Sequence, residues 1–117
     1  MNSDSLIIAK TQGKILIVNF NRTELDMLDA EGLNDEFNAL IDQGKKFFVL
    51  NFGNVKFMST SIMVSLIHLQ KKLGEVKGEM NLCCLSDHIR KVFSLTRLDR
   101  IFNIYDNEPA ALGALAK

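Results

Sequence analysis

Apolar residues fall into runs whose period changes along the chain, and each change marks a new element. Leu6 to Ala9 and Lys14 to Phe20 are apolar runs separated by Gln12-Gly13, the pattern of a β-hairpin. Leu33, Phe37, Leu40 and Ile41 then share one helical face, with Asp29 as the expected cap and Gly44 as the end. Lys46 to Phe52 is too continuously apolar for a strand with one wet face, so it predicts a central strand. Helical spacing returns from about Thr60 to Leu73, closed by Gly74. Met80 to Leu85 reads as a strand, followed by Ser86 or Asp87 capping a helix that carries Ile89, Val92 and Phe93. Ile101 to Tyr105 is a last short strand, and Asn107 caps a terminal helix with Pro109 in its first turn. Strands alternating with helices after a hairpin predict an α/β domain with a mixed, mostly parallel sheet of about five strands and about four helices. Val49, Leu50, Leu66, Leu69, Leu82 and Phe93 are expected to share one core.

The second helix opens on three hydroxyl residues, Ser59, Thr60 and Ser61. A helix start presents unpaired backbone N–H groups and the positive end of the dipole, so a phosphate added there is stabilised. The plain alternative is that one of these hydroxyls only caps the helix, worth about 1 kcal/mol. Ile62, Leu66, Leu69 and Leu73 form the core stripe, with Met63 and Ile67 on its flank, Val64 well away from it and His68 towards the polar side. Apolar Met63, Val64 and Ile67 beside the hydroxyls suggest a docking surface; packing under neighbouring loops is the competing account.

Composition narrows the function classes. The length of 117 residues fits one domain, residues 1–117, able to bury a single core. Fourteen basic and fourteen acidic side chains cancel, so no bulk field recruits nucleic acid or an anionic membrane. No apolar run approaches the roughly 20 residues of a membrane span. The start, MNSDSLIIAK, lacks the basic and apolar parts of a signal peptide, so a cytoplasmic protein is expected. Cys83 and Cys84 are adjacent on a predicted strand, hence on opposite faces, and are expected as half-buried thiols that neither pair nor build a metal site. No glycine-rich phosphate loop, metal cluster or nucleophile–base pair marks an enzyme, and no catalytic residue or cofactor is expected.

Several segments together resemble the STAS domain of bacterial anti-sigma factor antagonists, over nearly the whole chain. Glu24-Leu25-Asp26 with Ala30 and Leu33 is similar to the family's Gly-Glu-Leu-Asp segment and first helix. Phe57-Met58-Ser59-Thr60-Ser61-Ile62 stands where the family has an apolar residue, Asp-Ser-Ser-Gly or Asp-Ser-Thr-Gly, and a helix. Lys91-Val92-Phe93, Leu98 and Asn107 to Leu112 also follow the pattern. The resemblance implies binding to an anti-sigma factor that is also a serine/threonine kinase, release of a sigma factor, inactivation by phosphorylation and resetting by a phosphatase. By position the acceptor is Thr60, with Ser59 and Ser61 as lesser candidates. Asp26, Ser59, Ser61, Ile62, Met63, Val64 and Ile67 form the implied partner-binding set. The family's Asp is Ser59 here, its following Gly is Ile62, and two further family glycines are Thr23 and Arg97. Loss of the carboxylate alters the charge a kinase reads, and Ile62 is expected to add bulk at the partner's approach. A constitutive docking or scaffold module of the same fold is therefore the alternative function, with an enzyme the weakest.

Overall fold

The computed structural model describes residues 5–115. Strands β1 (Ile7–Gln12) and β2 (Ile15–Phe20) form the hairpin, and β4 (Phe47–Asn51), β6 (Glu79–Cys83) and β7 (Asn103–Tyr105) add in parallel. The resulting five-stranded sheet runs β1-β2-β4-β6-β7. Helices α1 (Ala30–Asp42), α2 (Thr60–Glu75) and α3 (Asp87–Leu95) cross between strands, and α4 (Glu108–Leu115) closes the chain. The expected α/β architecture is thus present. Two short strands outside that expectation, β3 (Glu24–Leu25) and β5 (Phe57–Met58), pair in parallel as a separate ribbon.

Strand alternation divides the apolar residues between two layers. Val18, Phe20, Leu50 and Leu82 join Leu33 and Phe37 of α1, Leu66 and Leu69 of α2, and Phe93 of α3 in the main core. Val49 does not belong there. As the neighbour of Leu50 it faces the other side, packing with Ile15, Ile17, Cys83 and Ala111 beneath α4. Side-chain amides tie that last helix down: Asn81 Nδ2 donates to the Ala111 carbonyl at 3.0 Å, and Asn51 Nδ2 to the Glu108 carboxylate at 2.8 Å.

Most helix boundaries follow the expected chemistry. Gly44, at φ 93°, ends α1; the Ser86 hydroxyl accepts the Ile89 N–H at 3.2 Å; and Asn107 Oδ1 accepts the Ala110 N–H at 2.9 Å. Gly74 does not end α2, which runs on to Glu75. The left-handed residue that stops it is Lys77, at φ 61°, with Lys77 N–H bonding the Gly74 carbonyl and Gly78 N–H bonding the Leu73 carbonyl at 2.7 Å. Gly78 is required one position later for a different reason. A Cβ there would stand 2.3 Å from the Lys46 carbonyl oxygen, where Glu79 N–H docks β6 onto β4 at 2.8 Å. Gly78→Ala should therefore destabilise by about 1–3 kcal/mol through forced backbone movement. Gly74→Ala, with open space around a helical site, should stabilise by about 0.5–1 kcal/mol. Urea midpoints that move in the same direction for both variants would refute this assignment.

Arg97 also has a left-handed backbone, at φ 63°, which accounts for the glycine that the resembled pattern carries there. Arg97→Gly should raise stability by about 1 kcal/mol, read from the same denaturation curves. Thr23 needs no such freedom: its contribution is a carbonyl that accepts the Lys56 N–H at 2.7 Å.

The cysteines depart from strand geometry. Cys84 turns out of β6 at φ 63°, so the alternation stops at Cys83 and both thiols pack on the α4 side. Cys83 is fully buried and Cys84 partly exposed. Burial first, then a hydrogen bond with Cys84 and the charges of Cys84 and Glu108, hold the Cys83 thiol well above its ordinary range, in the protonated and unreactive form.

Candidate functional site

The small β3/β5 ribbon builds the site by setting two loops side by side. Leu25 pairs with Met58, and the parallel ladder continues when Ser59 N–H bonds the Leu25 carbonyl at 2.9 Å. Leu25 and Met58 are buried and anchor the ribbon, so the residues that follow them, Asp26 and Ser59, emerge as neighbours. Adjacent strands run about 4.8 Å apart, so Asp26 lies close to the start of the hydroxyl triplet.

Each hydroxyl of the triplet has a different situation. Ser59 is the N-cap of α2, its Oγ facing the Ile62 N–H at 3.4 Å with its backbone extended. Thr60 is the first helical residue and is exposed. Ser61 is half-buried, and its carbonyl accepts the Ser65 hydroxyl at 3.1 Å. Of the three, only Thr60 combines exposure with a place in the first turn, where backbone N–H groups lack intrahelical partners.

Across from it, Asp26 starts one turn of 3-10 helix, Met27–Asp29. Its carboxylate accepts the Leu28 N–H at 2.9 Å, while the Asp29 carboxylate accepts the Asp26 N–H at 2.9 Å, a reciprocal capping box. This corrects the cap expected at Asp29, which makes no side-chain cap bond to α1 because its carboxylate is turned back to Asp26. Arg22 donates to Asp29 at 3.3 Å.

The apolar surface differs from the one expected. Ile62 is completely buried and Met63 is 7% exposed, both in the main core, so neither presents a docking face and Ile62 places no bulk at a partner's approach. Ile67 is half-buried against the same core. Of the expected helical contacts Val64 alone is open, at 43%. It stands one turn after Thr60, on the same side of α2. Three residues outside the implied partner-binding set join it: Met27 at 68%, Leu28 at 85% and Phe57 at 45% exposure. They come from the capped turn and the ribbon, the elements that meet at Thr60. Their signal was available, since apolar residues outside every core stripe and beside Asp26 or Ser59 have no structural use in the pattern.

Chemically, the site offers one exposed hydroxyl, an anion-favouring helix start, two nearby carboxylates already engaged as hydrogen-bond acceptors, and an open apolar surface. Among the described residues no group of His, Cys, Asp and Glu is arranged to hold a metal, and no helix is long and apolar enough to cross a membrane.

Residues 7–111 match the family model of the STAS domain. The chain is 31% identical over 111 residues to BtrV of Bordetella bronchiseptica, named by inference as an anti-sigma factor antagonist; the match spans 95% of this chain and 87% of that protein. It is 28% identical over 102 residues to the anti-sigma F factor antagonist of Paenibacillus polymyxa, spanning 86% of each. The phosphorylated form of SpoIIAA, a Bacillus cell fate determinant, superposes with a TM-score of 0.70 at 22% identity, over 93% of this chain and 98% of that one. At that identity the superposition speaks for the fold.

Proposed function

Since the chain belongs to the STAS-domain family, we propose that it is an anti-sigma factor antagonist of the bacterial cytoplasm, switched by phosphate on Thr60. Unphosphorylated, it docks on an anti-sigma factor with serine/threonine kinase activity; the kinase then modifies Thr60, and a phosphatase resets the protein. The names of the Bordetella and Paenibacillus relatives support the antagonist role. One observation carries the switch: Thr60 is the single exposed member of its triplet, and it opens α2 beside the exposed apolar residues Leu28 and Val64.

Docking and modification are tested separately. Leu28→Glu with Val64→Glu should weaken binding of the anti-sigma factor at least about tenfold, near 1.4 kcal/mol, while the melting temperature stays put because both side chains are open. Unchanged affinity in the folded double variant would remove this face from the function. Incubation with the kinase and ATP, followed by intact-mass measurement, should add one phosphate to the wild type and none to Thr60→Ala.

Ser59 favours a second reading, a constitutive docking module. Its hydroxyl faces the N–H it caps, and it stands where the resembled pattern has a carboxylate. Tight partner binding with no phosphate taken up would select that reading.

A further inference from the structure

We propose that Asp26 is the positioning residue of the switch: its carboxylate holds the turn that presents Met27 and Leu28, and phosphate on Thr60 loosens that hold. The inference rests on the docking function proposed above and adds a path from the modified hydroxyl to the apolar contacts.

Met27 and Leu28 are mostly exposed, so burial of their own side chains does not fix the turn. The turn runs directly into α1 at Ala30, so its far end is continued by helix and only its start needs holding. At that start, after buried Leu25, the bonds are those of two carboxylates: Asp26 on the Leu28 N–H, Asp29 on the Asp26 N–H, with the Asp29 N–H returning to the Asp26 carbonyl at 3.0 Å. Charge-assisted bonds of this kind are stronger than neutral ones, and they depend on the charge staying where it is. The ladder that seats Ser59 on Leu25 sets Asp26 beside the start of α2. Thr60 follows Ser59 as the first residue of α2, so a dianion there adds negative charge close to the Asp26 carboxylate and repels it. Of the cations near this corner, Arg22 is already bonded to Asp29, and Lys56 precedes β5. Weakening the Asp26 bond frees the Leu28 N–H and lets the two most exposed apolar side chains of the site move from their docking positions.

The test installs phosphothreonine at position 60 by genetic encoding, so that no kinase is required. In the phosphorylated wild type the Leu28 amide should shift towards its unstructured position in NMR spectra and exchange with solvent at least about tenfold faster. Asp26→Asn keeps a capping oxygen without the charge, so its Leu28 amide should respond much less to the same phosphate. In the unphosphorylated protein Asp26→Ala should weaken partner binding, and Asp26→Asn should restore it. A Leu28 amide indifferent to phosphate, or equally responsive in Asp26→Asn, overturns the proposal. If the partner binds no form of the protein, the docking function fails, while the Leu28 amide still decides whether phosphate reaches the cap.

Discussion

Replacing Leu66 with alanine should cost roughly 2–5 kcal/mol of stability, the combined effect of lost burial and a cavity that the surroundings cannot close. Leu66 is fully buried on the inner face of α2, in the same cluster as Leu50 and Leu82 of the sheet and Phe93 of α3. Each of those neighbours is held in place by its own strand or helix, so collapse around the deleted atoms would require elements to move together. The effect should appear as a lower urea midpoint with an unchanged slope. Val64→Ala, two residues away on the open side of the helix, should change stability by less than about 0.5 kcal/mol. A Leu66→Ala variant as stable as the Val64→Ala one would show that α2 does not pack as described.

Legibility in the sequence tracked the length over which a pattern repeats. The stripe Ile62, Leu66, Leu69 and Leu73 spans most of α2, and all four residues are buried. Lys46 to Phe52 identified a central strand by its continuity. That continuity also hid which face each residue takes, and Val49 was grouped with Leu50 although neighbours on a strand point apart. The ribbon of β3 and β5 has two residues per strand, too few to show a period, and it exists because Leu25 and Met58 each find the core. Local exceptions escaped for backbone reasons. Lys77 and Cys84 take left-handed conformations that favour glycine, so the pattern ends α2 early, at Gly74, and carries the strand alternation one residue too far, to Cys84. For the site, position along the chain and exposure separated. The hydroxyl triplet and Asp26 were legible, whereas Met63 looked like a flank residue on a helical wheel and is covered in the fold. Met27 and Leu28 belong to a turn whose shape depends on the Asp26 and Asp29 carboxylates, an arrangement no periodicity reveals.

Phosphate on Thr60 should weaken the complex with the anti-sigma factor over about a hundredfold, corresponding to roughly 3 kcal/mol. Docking would bring an apolar partner surface over Leu28, Phe57 and Val64, and a dianion at Thr60 would lose its water in the process. The same phosphate is tolerated in the free protein, where the start of α2 stabilises added negative charge by up to about 2 kcal/mol. The two effects act in one direction, favouring the modified free protein over the modified complex. Thr60→Ala should bind normally and resist inactivation by the kinase. Thr60→Glu should weaken binding only partly, because it carries less charge than phosphate. Ser59 is set against acceptance by its place as the cap of α2, and Ser61 by its partial burial. Phosphopeptide mapping after kinase treatment decides among the three hydroxyls. Phosphate on Ser59 or Ser61 would refute the assignment to Thr60, and equal affinity of the modified and unmodified proteins would refute the proposed switch.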